Sequence, residues 1–371
     1  MSETIGILLL NLGGPPDQAA VEPFLQRLFS DREIIQLPGG DTGQKILARL
    51  IARARGAQVR ANYRSIGGGS PILPLTRRQA EALEQELNRP APGDARRRVA
   101  APGGRSEAAA APETRFRVGI AMRYWHPTSE EALRDMLAAG VRRIVALTLY
   151  PQYSAATTGS SWNELRRALS RLESGGEAAS AREEARAPAA TAVGAELTLI
   201  DRYAEHPKYL SAVADTVEEA LAGLSAPERA SAVLLFSAHG LPIRFIRGGD
   251  PYEREIHATR EGVLRHLRQR GIENPWRLGY QSRTGPVRWL GPSTDAVIEE
   301  AARDGVRTLV VVPIAFVSDH IETLYEIDQL FAATAAKAGI VRFVRTRMLD
   351  DRPGFIECLA DLVREHLGSR P

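Results

Sequence analysis

The sequence contains a single cysteine, Cys358, among its 371 residues. One thiol excludes an internal disulfide, and it also excludes any zinc or iron–sulfur site held by several cysteines. Such sparing use of cysteine fits a reducing compartment, so we expect a cytoplasmic protein.

Long apolar runs and a strong excess of one charge are also missing. No stretch approaches the roughly 18 apolar residues that span a bilayer. The N-terminal MSETIGILLLNLGG lacks the basic start of a signal peptide and predicts a first strand instead. The formal net charge of +3 is small for this length, which argues against a nucleic-acid partner and leaves an anionic small substrate open.

Short runs of leucine and β-branched residues alternate with amphipathic helical patterns along the chain. The runs are IGILLLNLG, FRVGIAMRYW, VRRIVALTLYPQ, SAVLLFSAHG, WRLGYQS and VRTLVVVPIA. Continuous apolar strands separated by helices predict an α/β protein with parallel sheets covered on both faces. At this length two domains, or one large α/β unit, are expected.

Two pairs of segments resemble each other, which predicts that one βα unit occurs twice. EALRDMLAAGVRRIVALTLYPQYSA resembles AVIEEAARDGVRTLVVVPIAFVSD, and LLLNLGGPP resembles LLFSAHGLP. The copies differ chemically, since Leu12-Gly13 in the first stands where Ala238-His239 stands in the second. Polar groups gather in the second copy at the carboxyl ends of parallel strands, where doubly wound sheets bind ligands.

Two segments hold almost no large apolar side chains and are rich in Ala, Gly, Pro, Ser and charge, namely residues 89–114 and 173–196. Such composition buries too little surface to offset the entropy of ordering the chain. We predict surface insertions at both places.

His239 is the first candidate for chemistry, because it follows an apolar run and precedes the turn residues Gly240 and Pro242. A neutral imidazole at a strand end can accept a proton or bind Fe(II). A histidine that only hydrogen-bonds loop backbone has the same sequence pattern, so position alone leaves both interpretations open.

An acidic row, FVSDHIETLYEID, follows the most apolar strand. If the segment continues as a helix, Asp319, Glu322 and Glu326 lie on one face, where their repulsion calls for a compensating cation. A capping box between Asp319 and Glu322 on a solvated helix explains the pattern as well. Convergence of this row, with His320 beside it, and His239 on one cleft would favour an open metal site.

Aromatic and cationic side chains cluster at other strand ends, and they can serve either as packing or as the walls of a pocket for a flat, carboxylate-bearing ligand. They are Arg123, Tyr124, Trp125, Tyr150, Tyr153 and Trp289. The glycine-rich RSIGGGSPI does not match a phosphate-binding loop, and we interpret it as a hinge or a point of close backbone approach.

Seven motifs, in this order, resemble the ferrochelatase family, whose members insert ferrous iron into a porphyrin. They are LLLNLGGP, IGGGSPI, MRYWHP, LTLYPQYSAATTGSS, SAHGLP, GYQSRTGPVRWLGPST and FVSDHIETLYEID, and the likeness runs from about Ile5 to Asp350. The resemblance implies two similar Rossmann-like domains with a porphyrin cleft between them. We place these at 1–165 and 166–349, followed by a C-terminal helix at 350–371.

The resemblance also assigns roles to individual residues. It implies His239 and Glu322 as the catalytic and metal-binding pair, with Asp319, His320 and Glu326 as an acidic path for ions or protons. It implies Arg123, Tyr124, Trp289 and Leu12 as residues of the porphyrin pocket.

Departures from the family pattern refine these expectations. Animal members bind a [2Fe–2S] cluster through four cysteines, whereas here Ala155 occupies one such position and the C-terminal three are missing, so no cluster and no other tightly bound cofactor is expected. Ser65 replaces an arginine of some relatives and puts one propionate contact in doubt. Leu12 stands where relatives that act on coproporphyrin have tyrosine, which favours protoporphyrin IX.

We therefore expect a ferrochelatase that forms protohaem from Fe(II) and protoporphyrin IX. The alternatives are a chelatase for coproporphyrin III or sirohydrochlorin, or a tetrapyrrole carrier without catalysis. The segment FLQRLFSDREIIQLP is a candidate for peripheral contact with a membrane, although a packed amphipathic helix is the favoured interpretation.

Overall fold

The structure, a computed structural model, describes residues 3–90, 114–174, 194–283, 285 and 287–368. The two predicted insertions fall almost entirely outside these ranges, so that prediction concerns residues that the structure does not describe.

Eight strands and twelve α-helices alternate along the described chain, together with two π-helical segments. The strands are β1 (Thr4–Asn11), β2 (Arg115–Met122), β3 (Arg143–Thr148), β4 (Glu196–Ile200), β5 (Val233–His239), β6 (Trp276–Gln281), β7 (Thr308–Pro313) and β8 (Arg342–Arg345). The helices of the first half are α1 (Val21–Ser30), α2 (Gly40–Ser65), α3 (Ile72–Leu87), α4 (Ser129–Ala138) and α5 (Ser160–Glu173), with the π-helix π1 (Ala155–Gly159) before α5. The second half contains α6 (Pro207–Ala222), α7 (Ala226–Ser231), α8 (Ile243–Arg247), α9 (Tyr252–Gln269), α10 (Thr294–Arg303), π2 (Glu322–Phe331), α11 (Ala332–Ala338) and α12 (Pro353–Gly368).

The strands form two four-stranded parallel sheets with the same topology. Their orders are β2-β1-β3-β4 and β6-β5-β7-β8. The segments that resemble each other in sequence occupy equivalent places, since β1 and β5 correspond, as do β3 and β7. The predicted repeat and the predicted α/β class with parallel sheets are both confirmed.

The boundary between the halves differs from the prediction at residue 165. Strand β4 pairs in parallel with β3, with Arg143 opposite Glu196, so it belongs to the first sheet. Helix α5 is continuous across residue 165. The chain therefore leaves the first sheet only after Ile200, which places the boundary between the units after β4.

One apolar core joins the two sheets. Ile7 and Leu9 of β1 belong to the same buried cluster as Leu234 of β5 and Val310 of β7. Burial of both faces explains why the central strands are leucine- and valine-rich runs with no polar alternation. The two units are thus packed together as one body.

The order of the second sheet fixes where a site can form. The chain passes from β5 to β6 on one side and then returns to β7 on the other side of β5. The segments after β5 and β7 therefore diverge and leave a crevice between them, the position at which open α/β sheets bind ligands. His239 ends β5, and Glu322 opens the helix that follows β7.

Helix α1 packs into the first unit through four buried residues, Val21, Phe24, Leu25 and Phe29. This confirms a packed amphipathic helix for the first part of the segment FLQRLFSDREIIQLP, and contact of the segment with a membrane stays a prediction. Among the described helices, none is long and apolar enough to cross a bilayer.

Candidate active site

His239 and Glu322 meet in the crevice of the second sheet. The imidazole Nδ1 lies 2.7 Å from the carboxylate Oε2, and the two side chains are 36% and 21% exposed. Within the described residues, the second ring nitrogen, Nε2, makes no hydrogen bond. Glu322 therefore orients the ring through Nδ1 and leaves Nε2 available to a ligand.

The electrostatics of the pair make the imidazole of His239 a stronger base than an isolated histidine. Burial opposes charge on His239, but the carboxylate of Glu322 outweighs burial, and the net pKa is raised above its ordinary value. Burial likewise opposes charge on Glu322, yet the imidazole of His239 lowers the pKa of that carboxyl to about 2. Glu322 thus stays ionised and stabilises a proton on the ring.

The turn that carries His239 is shaped by glycine. The Gly240 N–H donates to the Gln281 carbonyl across 2.8 Å, and a Cβ at Gly240 would lie only 2.7 Å from that oxygen. The ring of Trp289 lies on the same side, 3.4 Å from that Cβ position. Trp289 is therefore placed beside the turn of the histidine, and its contact with a porphyrin stays a prediction.

Ser282 joins two carboxylates. Its hydroxyl contacts Glu322 Oε2 at 2.7 Å and also makes a short hydrogen bond with Glu326 Oε2, while its N–H donates to Glu326 Oε1 across 2.9 Å. Gln281 Nε2 donates to Glu326 Oε2 as well, across 3.1 Å. Because a hydroxyl donates only one hydrogen, satisfying both carboxylates needs a proton on one of them.

Glu326 is the carboxyl that holds this proton most readily. Burial and the charge of Glu322 raise the pKa of Glu326 above its ordinary value. Ser282 has a φ of 64°, in the left-handed region that non-glycine residues rarely adopt, so the backbone is held in a costly conformation that aims the hydroxyl between the two acids.

The predicted row of three carboxylates on one α-helical face is wrong in its geometry. The helix from Glu322 to Phe331 is a π-helix, and Asp319 lies before it. Asp319 Oδ1 accepts from the Thr323 hydroxyl across 2.8 Å and forms an ion pair with Arg345 at 3.0 Å. Only Glu322 and Glu326 face the crevice together, since Asp319 serves to fix the start of the helix.

His320 lies next to the pair but is turned into the protein. Its Nδ1 lies 3.0 Å from the Ser318 carbonyl, and burial lowers its pKa. Its ring packs edge-to-face on Phe316 at 4.4 Å, and Phe316 also contacts the ring of His239 at 6.2 Å. Phe316 thus separates the two imidazoles. It is the first residue of the motif FVSDHIETLYEID, but the sequence pattern does not predict this role.

The first unit forms the opposite boundary of the crevice. Leu12 is partly buried against an apolar cluster that includes Tyr63. Ile66 and Ile321 pack against the same cluster. The pKa of Tyr63 is raised by burial and then by the charge of Glu322, so this phenol lies within electrostatic range of that carboxylate. Leu12 therefore contributes to an apolar surface close to Glu322, whose neighbour in sequence is Ile321.

Arg123 and Tyr124 both hydrogen-bond Asp31. Arg123 donates to Asp31 Oδ2 across 2.6 Å and to Ser160 across 2.8 Å, and the Tyr124 hydroxyl donates to the same Asp31 oxygen across 2.6 Å. Tyr124 is only 2% exposed. Both residues border a polar cavity of about 550 Å³ that contains neither His239 nor Glu322 among its lining residues. Contact of these two side chains with a porphyrin stays a prediction.

The described residues contain no cluster of three or more His, Cys, Asp or Glu side chains suited to enclose a metal ion. His239 and Glu322 thus offer two donors in an open crevice. The fold and the crevice define the chain as an α/β protein of two similar parallel-sheet units, with a partly buried imidazole–carboxylate pair at the switch point of the second sheet.

Comparison with known proteins then gives the family. The sequence model of the ferrochelatase family matches residues 4–367. Curated ferrochelatases of Geotalea daltonii and Geotalea uraniireducens are 43% and 44% identical, over 99% and 100% of this chain and the same shares of their own. The chain belongs to the ferrochelatase family, enzymes of haem biosynthesis that insert iron into a porphyrin.

Among solved structures, SirB from Bacillus subtilis, determined with Fe³⁺, has a TM-score of 0.50 at 12% identity and covers 99% of this chain and 98% of its own. This likeness shows the chelatase fold. The predicted family, fold class and enzymatic activity are confirmed by these findings.

Proposed function

We propose that the chain inserts Fe(II) into protoporphyrin IX and that His239 and Glu322 carry the reaction. The observation that supports this most directly is the 2.7 Å contact between the two side chains, which uses Nδ1 of His239 and leaves Nε2 without a hydrogen bond among the described residues. Fe(II) is a substrate here. With one cysteine in the chain, the proposal includes no iron–sulfur cluster and no resident cofactor.

Metal insertion removes two protons from the pyrrole nitrogens as one divalent ion enters, so the charge balances only if a base accepts protons. In the proposed mechanism, neutral His239 accepts one pyrrole proton at Nε2 while Glu322 stabilises the imidazolium through Nδ1, and the second pyrrole proton passes to water in the open crevice. The proton then leaves by way of Glu326, which Ser282 connects to Glu322 through one hydroxyl.

In the proposed mechanism, iron delivery uses the carboxylate oxygens of Glu322 and Glu326. Glu322 and Glu326 present adjacent carboxylates, which suit a divalent cation that is partly stripped of water. Asp319 and His320 extend this acidic path in the proposal, with a smaller role for Asp319 because Arg345 already neutralises it at 3.0 Å. A site of two open donors passes an ion on more readily than a closed cage does.

The shape and polarity of the crevice support a flat, largely apolar ring. Trp289 stands beside His239, and Leu12 belongs to the apolar surface on the other side. Coproporphyrin III and sirohydrochlorin carry more carboxylates than protoporphyrin IX, and burying these carboxylates against the apolar surface around Leu12 is costly. We therefore propose protoporphyrin IX as the preferred ring, with Arg123 and Tyr124 supporting the pocket.

The test is an anaerobic spectrophotometric assay with Fe(II) and each of the three tetrapyrroles. We expect the highest kcat/KM with protoporphyrin IX. A higher value with coproporphyrin III or sirohydrochlorin would contradict the proposed specificity, and porphyrin binding without any metalloporphyrin product would indicate a carrier.

The residue assignment is tested in the same assay. His239→Ala is expected to lower kcat by at least about 100-fold, because it removes the proton acceptor, while porphyrin fluorescence still reports binding. His266→Ala, which changes a histidine in the last turn of α9, is the matched control and should keep full activity. Full activity in His239→Ala would remove His239 from the mechanism.

A further inference from the structure

The backbone of His239 is held by a buried tyrosine from another element. The Tyr252 hydroxyl donates to the His239 carbonyl across 3.0 Å. Tyr252 is the first residue of α9 and is 6% exposed.

This hydrogen bond acts where the sheet no longer restrains the strand. On one side of β5, His239 still pairs with Gln281 of β6. On the other side, the pairing with β7 stops at Ser237 and Pro313. Past that point the Tyr252 hydroxyl restrains β5 in place of the missing strand contact. Rotation of the His239 peptide would carry the imidazole away from Glu322.

The position of Tyr252 is set in turn by Asp250. Asp250 Oδ1 accepts from the Tyr252 N–H across 3.0 Å, which fixes the start of α9. Its other oxygen, Oδ2, accepts from the Ser154 hydroxyl at 2.9 Å and from the Ala155 N–H at 2.8 Å. Ser154 and Ala155 belong to the first unit, at the entry to π1. The carboxylate of Asp250 therefore connects Tyr252, which holds His239, to the first unit.

Two neighbouring contacts dock α9 onto the same loop of the first unit. The Tyr153 N–H donates to Glu255 Oε2 across 2.7 Å, and Gln152 Nε2 donates to the Thr259 hydroxyl across 2.9 Å. Successive residues of the loop after β3 thus bind successive turns of α9. The loop after β3 and the start of α9 move together.

We propose that Tyr252 is a positioning residue for iron insertion, which holds the turn of His239 against Glu322, and that Asp250 links this turn to the first unit. The proposal rests on the proposed role of His239. It adds a relay that runs from the loop after β3, through Asp250 and Tyr252, to the catalytic histidine. Neither Tyr252 nor Asp250 touches the reacting atoms.

Tyr252→Phe tests the positioning role, because it keeps the ring in the core and removes only the hydroxyl. We expect kcat to fall about tenfold with little change in KM for porphyrin, since the ring still binds but the base is misaligned. The matched control is Tyr209→Phe. Tyr209 is also fully buried, and its hydroxyl donates to the Ile314 carbonyl across 2.9 Å, a contact outside the turn of His239.

Both phenylalanine variants lose one buried hydrogen bond, so their thermal stabilities should fall by similar amounts, and only Tyr252→Phe should lose turnover. Equal kcat values for the two variants would overturn the positioning role. The wild type and His239→Ala are measured alongside. An inactive wild type or an active His239→Ala would contradict the proposed function. If the wild type is active and the two phenylalanine variants have equal kcat values, only the relay is contradicted.

Asp250→Ala tests the link from its other end without any change at Tyr252. It should also lower kcat with KM for porphyrin retained. If both residues act through His239, the double variant should lose less activity than the product of the two single losses. Losses that multiply would show that Asp250 acts independently and would overturn the relay through Asp250.

Discussion

The imidazole of His239 hydrogen-bonds the carboxylate of Glu322 across 83 residues of sequence. His239 ends β5, Glu322 opens the helix that follows β7, and these two strands are neighbours in the sheet. The contact therefore depends on the topology of the second unit and not on any local motif. It also makes the charge of each group depend on the other, which can be measured.

Replacement of Glu322 by Gln should change the titration of His239. In the wild type the carboxylate of Glu322 raises the pKa of His239 above its ordinary value of 6.5. Without that carboxylate, burial is left to oppose the charged ring, so the pKa of His239 should fall. NMR titration of the imidazole protons in both proteins measures the difference. His239→Ala identifies the resonance.

The raised pKa of His239 also makes the stability of the fold depend on pH. A histidine whose pKa is raised by folding stabilises the native state at pH values below 6.5, and this contribution disappears as the pH rises through the raised pKa. The wild type should therefore lose more stability than Glu322→Gln between pH 6 and pH 9. An equal loss in the two proteins would contradict the ion pair.

Glu326→Gln tests the second carboxylate. It keeps the shape of the side chain and an acceptor for the Ser282 N–H, but the amide can neither release a proton nor act as a second carboxylate beside Glu322. We expect KM for Fe(II) to rise about tenfold, with KM for porphyrin unchanged. Glu299→Gln, an exposed change on α10, controls for the loss of one negative charge. An equal effect in both variants would argue against a path through Glu326.

Asp350→Asn should stabilise the protein at alkaline pH. Burial and the nearby charge of Asp319 raise the pKa of Asp350 to about 6. An acid with a raised pKa destabilises the fold when ionised, and this cost is relieved as the pH falls through 6. Asparagine tolerates the backbone φ of 45° found here. We expect a rise in Tm of about 2 °C at pH 8 and a smaller difference at pH 5, as measured by calorimetry.

Gly69→Ala should be strongly destabilising. A Cβ at Gly69 would overlap the carbonyl of Pro16, and the next residue, Ser70, hydrogen-bonds Pro15 across 2.7 Å. The backbone cannot yield without breaking this contact, so we expect a loss of about 3 kcal/mol in the free energy of unfolding.

Gly223→Ala is the control for this change. A Cβ at Gly223 would meet only ordinary contacts, the nearest at 3.5 Å. Denaturant unfolding of the two variants should therefore give very different midpoints. Similar midpoints would show that the loop at Gly69 moves freely to accept a side chain.

The sequence predicted the repeat, the parallel sheets and the convergence of His239 and Glu322, since these follow from strand composition and from the rule for strand ends. It did not predict the π-helix from Glu322, because periodicity alone does not distinguish a wider turn from an α-helix. For that reason Asp319 was placed on the same helical face as Glu322.

Other residues of the site were missed because their roles depend on contacts between distant segments. Ser282 and Phe316 stand inside recognised motifs, yet nothing in their local pattern shows that one joins two acids and the other separates two imidazoles. Tyr252 is separated from His239 by a turn and by α8. The end of the first unit was misplaced because strand β4 follows a polar segment that resembles a linker.

The apolar interior that Ile7 shares with Leu234 has a consequence for how the enzyme admits its ring. Swinging the two halves apart would hydrate both inner sheet surfaces at once, which is far more costly than shifting a few side chains or a helix end at the rim. Access to His239 should therefore depend on local rearrangement near Leu12 and Trp289, while the chain as a whole melts in a single cooperative transition.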